Sequence, residues 1–386
     1  MTSDRSEETW SIKLFYGAVY LMAFSAPISS VATQVTAILV LFFGAWLYIR
    51  KYKRNSVSPW GTALILGLLA AFIISSIIAG INNSLPQLKK IWILLAFLPL
   101  AYFSSYYSKD KVLSLLIFGS ALASLIETIL FLSGHIERAA TYSAGYITLA
   151  LFDAALIPIA LAYWLSYRKK RRHFYLAAIF LMAIGLIASQ TRIGWLGAFI
   201  GIIILATRKE VMAVIIYSIY IFVLLAVIPG GLKKASGIVT SEAKKEITAN
   251  KITIWSLGLS MVPDMPLFGY GSGCFDRLIP QKLLNNIGEP GTINWNSTPL
   301  EVLLESGYLG LAFLLGILGI SLSSAWKRYK KLKDEKWVNF SLLAGIIVLY
   351  YAGLTMSIPQ DAMLLALSVQ LWAIIFIRPE SPSLVE

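Results

Sequence analysis

NWNSTPLEVLLESGYLG (294–310) closes the one long polar interruption in this chain, which opens near Pro229 and ends at Gly307. Before and after it the sequence reads as membrane helix. Only this interruption is roomy enough to fold over a membrane surface and build a site there. The run that ends it leads straight into apolar sequence, so its polar residues sit at the mouth of a span.

Working outward, the 386 residues are 58% hydrophobic and 14% charged. Soluble globular proteins carry about a quarter charged residues, so this chain is built for lipid. Twelve apolar segments are expected to cross the bilayer: 12–27, 31–49, 60–80, 90–106, 111–133, 145–167, 174–190, 193–207, 211–229, 302–325, 338–357 and 361–377. The fold class is all-α and polytopic, with transmembrane helices in 1–229, one large loop domain in 230–301, and further transmembrane helices in 302–386. The N-terminus lacks a basic n-region and a cleavage site, and the first segment is read as retained.

The net charge of +13 does not point to nucleic acid, because the basic residues collect in alternate short loops. Arg50, Lys51, Lys53 and Arg54 form one cluster, Lys109 and Lys111 a second, and RKKRR (168–172) a third. Arg208 with Lys209 and the run WKRYKKLKDEK (326–336) complete the set. With twelve spans all five clusters fall on one side, which makes that side and both termini cytoplasmic. A single cysteine, Cys274, excludes an internal disulfide and leaves no cysteine cluster for a metal.

Topology gives no reason for basic residues on the other side, yet Lys89, Lys90, Arg138, Arg192, Lys251 and Arg277 stand there. Arg192 lies in IASQTRIGWLGAF (187–199), where two apolar spans meet with almost no loop. A charge at lipid depth costs on the order of 3 kcal/mol by insertion scales. The bland reading is a snorkelling arginine or one paired with a buried acid; Glu127 and Asp153, inside spans, are available counter-ions. The functional reading is an anion clamp, since the guanidinium fork matches phosphate. Arg138, in GHIERAATYSAGY (134–146), is a second candidate, and its plain reading is an exposed loop arginine.

Within the long loop, an amphipathic helix is expected in 238–262, followed by the turn PLFGYG (266–271). The glycines of FGYGSG serve tight turns or close approach, and no strand–turn–helix context makes them a dinucleotide fingerprint. The order is then QTR at a helical hairpin, Lys251 four residues before Trp255, a P-L-x-G-x-G turn with Gly269 and Gly271, a polar pair, and E-x-G opening a new span. This ordered set resembles the O-antigen ligase and polymerase superfamily of integral membrane glycosyltransferases, over most of the chain. The resemblance implies a fold of the membrane glycosyltransferase C type in the bacterial inner membrane, with its active site on the periplasmic face. It implies an undecaprenyl-diphosphate-linked glycan donor, a lipid A–core or other lipid-linked glycan acceptor, surrounding membrane lipids, and no metal or cofactor.

Residue by residue, Arg192 matches the family's hairpin arginine and Arg138 another outer arginine. Lys251 takes the place of an arginine before Trp255, and Glu305 and Gly307 match E-x-G. With Lys90 these cations would bind the diphosphate. Asn296, followed by Ser297, departs from the pattern, because the family usually carries histidine there as a general base, and asparagine takes no proton near neutral pH. An engineered His→Asn form, a natural member using another group with Glu301 the first candidate, and loss of activity all remain open; the intact flanking motif favours the first. His135 and His173 do not rescue the site. Arg277 and Gly288 have an R-x10-G spacing described for polymerases, but the loop around Arg138 lacks a second copy, so ligase is preferred over polymerase. A lipid-linked sugar flippase or transporter would predict internal repeats and a midplane site, and neither is visible.

Overall fold

Helix starts in this chain are set by short polar side chains placed before apolar runs. Ser29 Oγ accepts from Ala32 N (3.4 Å), Ser58 Oγ from Gly61 N (3.3 Å) and Ser108 Oγ from Lys111 N (3.3 Å). Asp361 Oδ1 accepts from both Met363 N (2.9 Å) and Leu364 N (3.2 Å). The structure, a computed structural model, describes residues 2–80, 84, 88, 91–136, 139–141, 145–166, 171–205, 241–279, 294–331 and 336–377. At 2–9, 171, 241–250, 331 and 336 it describes the main chain alone.

The elements are α1 (Thr2–Ser25), α2 (Ser30–Ile49), α3 (Pro59–Ile78), α4 (Trp92–Tyr102, opening with a 3-10 turn), α5 (Lys109–Leu132), α6 (Tyr146–Ser166), α7 (Arg171–Ala188) and α8 (Arg192–Leu205). After 205 come α9 (Ser241–Ser260), the single turn α10 (Phe275–Leu278), α11 (Thr298–Lys331), α12 (Lys336–Gly353) and α13 (Ala362–Phe376). Among the described residues every regular element is helical, apart from the isolated bridges Val57–Ile377 and Thr141–Gly145. Five helices, α2, α3, α5, α6 and α11, are long and apolar enough to cross a bilayer, and α4, α7, α8, α12 and α13 are shorter apolar helices. Each expected span has a helix at its place except 211–229, which lies outside the described residues.

Two helices form the axis of the bundle. Every residue from Thr148 to Tyr163 in α6 and from Ala362 to Phe376 in α13 is buried, as expected of helices apolar on all sides. Gly194, Gly197 and Gly201 line one side of α8. A β-carbon on Gly194 would stand 2.8 Å from Ala150, and one on Gly201 3.0 Å from Pro158, so small residues here bring α8 close against α6. Asp153 sits on α6 with no exposed surface, and its carboxylate accepts from Ser120 Oγ (2.7 Å) and Ser124 Oγ (2.7 and 2.9 Å) on α5. Its hydrogen-bond partners are hydroxyls, so Asp153 is a tie between α5 and α6 and not the counter-ion of Arg192. Glu127, the other acid inside a span, is buried and meets the backbone of Ala140.

The bundle has two unlike poles. At one, Asn55 N donates to Tyr102 O (2.7 Å), Ser58 N to Phe376 O (2.9 Å), and the buried Arg328 to Ile377 O. Here Arg50 lies over the Trp46 ring (5.2 Å), Arg172 over Trp164 (4.5 Å) and Lys330 over Trp326 (5.2 Å). Cations paired with aromatic rings suit the boundary between lipid and water.

The opposite pole is polar and is knotted together by the loop that the sequence singled out. α11 runs helically except at Gly307 (φ 72°, ψ −170°), a conformation open essentially to glycine alone. The chain breaks there because the PLFGYG turn lies against it: Tyr270 N donates to Leu304 O (2.7 Å) and Gly271 N to Glu305 O (3.1 Å). The carboxylate of Glu305, 1% exposed, accepts from Gly273 N (2.8 Å), and Ser75 Oγ on α3 donates to Glu305 O. Ser76 Oγ bonds Ser272 Oγ (3.0 Å), and Arg277 donates to Tyr270 O (2.8 Å) and Ala79 O (3.5 Å).

A β-carbon at position 307 would stand 2.1 Å from Leu267 O and 2.8 Å from Gly269 N. Gly307→Ala is expected to destabilise by an amount at or beyond the roughly 1–3 kcal/mol that a strained non-glycine residue costs. An unchanged thermal unfolding midpoint in detergent would contradict the knot. Asp153→Ala is expected to lose about 1–2 kcal/mol and Asp153→Asn much less, since an amide oxygen still accepts from both serines. Denaturation of the two variants side by side checks this, and equal losses would be the contrary result.

Candidate active site

The approach to the site is fixed by two tryptophans. Trp255 on α9 donates its indole N–H to Trp295 O (3.0 Å), and Gly258 one turn later makes room for the Trp295 ring, which a β-carbon would meet at 2.9 Å. Trp295 is fully buried and stands edge-on to Phe275 at 4.9 Å between centroids. Lys251, partly buried, is one turn before Trp255 on the same face of α9.

With Trp295 held, Asn294 Oδ1 accepts from Asn296 N (2.9 Å), an Asx turn that swings the chain into a left-handed conformation at Asn296 (φ 51°). Asparagine and histidine are among the few non-glycine residues enriched there. The backbone at position 296 is thus as suitable for a histidine, which the resemblance implies there, as for the asparagine present. Asn296 is partly exposed and Ser297 is buried, and Ser297 O accepts the N–H of Glu301 (2.8 Å) to start α11.

Thr298 then fastens α11 to the connection between α12 and α13. Its hydroxyl donates to Met356 O (2.7 Å) and accepts from Ile358 N (2.9 Å). One turn on, the Glu301 side chain has no exposed surface and its carboxylate accepts from the Gln360 amide. Asp361, which caps α13, also accepts from Thr148 Oγ1 at the start of α6.

Arg192 begins α8 and is exposed. The QTR hairpin is tight because Gln190 takes a left-handed φ of 54°, Thr191 Oγ1 donates to Ser189 O (3.1 Å), and the Trp195 indole donates to Leu186 O (2.7 Å). Two residues after Arg192, Gly194 packs against Ala150 on the first turns of α6. Contacts therefore run from the hairpin through Ala150 and Thr148 to Asp361, Gln360 and Glu301, all at the polar pole. Ala139 N donates to Ala188 O (3.2 Å), bringing the 134–146 loop to the same hairpin. Arg138 and Lys90, and Gly288 of the R-x10-G spacing, lie outside the described residues.

The structure thus joins two groups that the sequence presented separately. Gly269, Gly271, Glu305 and Gly307 make the knot, while Lys251, Trp255 and Asn296 are partly exposed beside it and Ser297 and Glu301 are buried. Arg277 is engaged by main-chain carbonyls in the same knot. Cys274 is buried, and burial first, then the nearby Glu305 carboxylate, push its thiol well above the usual range, which leaves it unreactive. His135 is an exposed loop histidine whose Nδ1 meets Ser133 Oγ (2.7 Å), and His173 belongs to the first turns of α7 at the basic pole. Among the described residues no group of three or more His, Cys, Asp or Glu side chains converges.

Sequence reading passed over Thr298, Ser357 and Gln360. The available signal is SIPQD (357–361), a short interruption between two of the most apolar segments, whose ends Ser357 and Asp361 fall in the expected spans and whose middle forms the connection between them.

Residues 177–315 match the family model described as O-antigen ligase. No curated protein matches the chain. The matched stretch runs from α7 into α11 and carries Arg192, Lys251, Trp255, Gly269, Gly271 and the whole 294–310 run in order, so over these residues the chain is similar to the O-antigen ligase family.

Proposed function

We propose that this chain is an inner-membrane glycosyltransferase that moves a glycan from undecaprenyl diphosphate to a lipid-linked acceptor at the periplasmic face. The observation that carries the reading is the joining, at the pole opposite the basic rim, of the Arg192 hairpin and the Glu301-bearing helix through Thr148, Asp361 and Gln360. A site built there sits at a membrane surface, where two lipid-borne substrates meet. The basic pole faces the cytoplasm under the positive-inside rule, and with it both termini.

In this reading the donor's lipid tail lies in the bilayer and its diphosphate reaches Arg192, with Arg138, Lys251 and Lys90 as further cations. The acceptor hydroxyl oxygen attacks the anomeric carbon as the bond to the diphosphate oxygen breaks, so configuration inverts. The electron pair leaves on the diphosphate, where fixed guanidinium groups meet the growing charge without a metal ion. The hydroxyl proton passes to Glu301, since Asn296 takes none and instead offers hydrogen bonds beside it. Arg277 favours ligation onto lipid A–core over repeat-unit polymerisation: the arginine of the R-x10-G spacing is spent on the Tyr270 and Ala79 carbonyls.

Arg192→Ala is expected to lower transfer by about 10²–10³-fold or more while the protein elutes and unfolds as the parent does. Transfer of labelled glycan from the polyprenyl carrier to purified lipid A–core measures it, and parent-like turnover would refute the clamp. Asn296→His, which suits the left-handed backbone there, is expected to raise turnover by roughly 10²–10⁴-fold, the worth of a positioned general base. Elongation of glycan on the carrier in place of ligation would turn the reading to polymerase.

A further inference from the structure

The connection between α12 and α13, residues 354–361, holds two polar groups that the fold leaves unanswered. Ser357 is 3% exposed, and its Oγ has no hydrogen-bond partner among the described residues. Gln360 gives its amide N–H to the Glu301 carboxylate, while its Oε1 is buried and likewise without a partner among the described residues. Leaving a buried polar group unpaired costs about 1–3 kcal/mol, and native structures keep few such groups without a reason.

Nothing about this connection is loose. Thr298 Oγ1 grips it from both sides of Ser357, through Met356 O (2.7 Å) and Ile358 N (2.9 Å). Asp361 N closes a turn onto Ile358 O (3.0 Å), and the Asp361 side chain is held by Thr148 and by the α13 N-terminus. Gln360 is therefore set in place against Glu301, and Ser357 against the Thr298 turn that precedes Glu301, before any ligand arrives.

The chemistry of the three groups defines what fits. The Gln360 carbonyl oxygen and the Glu301 carboxylate only accept, and Ser357 Oγ does either. A diphosphate, itself an acceptor and an anion, is repelled by such a set. A neutral pyranose, which presents hydroxyl donors on adjacent carbons, satisfies it. We propose that Ser357 and Gln360, with Glu301, form the subsite that receives the hydroxyl-bearing face of the acceptor sugar, one hydroxyl on Glu301 and its neighbour on Gln360 Oε1. The subsite deepens the glycosyltransferase reading and rests on it for the word acceptor; its preference for sugar hydroxyls stands on the geometry alone.

The test is saturation-transfer NMR on the full chain in a sugar-free detergent such as a dimethylamine oxide, with methyl gluco-, galacto- and mannopyranosides as probes. At least one glycoside should receive saturation from the parent protein. Gln360→Met, which keeps the length and removes the acceptor oxygen, should weaken its binding by about tenfold, the worth of one well-placed hydrogen bond. Ser357→Ala should weaken it less, and Lys327→Ala, exposed at the opposite pole, should leave it unchanged. Should Gln360→Met fail to fold, Ser357→Ala decides. Absence of binding by all three glycosides, or equal binding by parent and folded variants, overturns the subsite. Gln360-dependent binding by a protein that transfers no glycan upholds the subsite and removes the transferase reading instead.

Discussion

A single buried residue, Glu305, holds the polar pole together. Its carboxylate accepts the N–H of Gly273, its carbonyl oxygen takes Gly271 N and Ser75 Oγ, and the helix that carries it breaks two residues later at Gly307. A carboxylate taken out of water is tolerated only where hydrogen bonds replace its hydration. That requirement fixes the glycine turn against α11, and the Glu305 carbonyl separately ties α11 to α3 through Ser75. Remove the tie and three elements distant in sequence lose their common register. The candidate site residues Asn296, Ser297 and Glu301 precede Glu305 on the same segment, so their placement depends on it.

The two poles of the bundle divide the work between them. Cation–aromatic pairs and main-chain contacts close the basic pole, where Arg328 and Tyr163 turn their polar atoms to Ile377 O and to Asp110 Oδ1 (2.6 Å). At the other pole Thr298 and Asp361 join α6, α11, α12 and α13 around Glu301 by side-chain hydrogen bonds. Such bonds are directional and rigid. They suit a site that must hold its polar groups still, as the proposed transfer between two lipid-borne substrates requires.

Hydropathy and capping made the helices readable, because in lipid every backbone polar group must be satisfied within its own segment. The motif order exposed Arg192, Trp255, Gly269, Glu305 and Gly307, but not that the glycine turn and E-x-G are two halves of one contact. Spacing along the chain carries no information about a hydrogen bond between residues 271 and 305. Gln360 and Ser357 were hidden for a different reason: a polar island of five residues vanishes in a window wide enough to detect a span. Asp153 looked like half of an ion pair because sequence shows charge and not the two serines that a neighbouring helix brings to it. The left-handed turn at Asn296 depends on Asn294 two residues earlier, a local signal present in NWN and legible only once the backbone angle is known.

Sidedness is the claim on which the rest turns, and thiol labelling in intact cells tests it most directly. Cys274 is buried and leaves no reactive background, so single cysteines can be placed at exposed positions of each pole. Ser256→Cys, on α9 beside Trp255, should react with a membrane-impermeant maleimide in spheroplasts, while Lys327→Cys near the end of α11 should react only after the membrane is opened. Labelling of Lys327→Cys from outside with Ser256→Cys protected would place the polar pole in the cytoplasm and contradict the account.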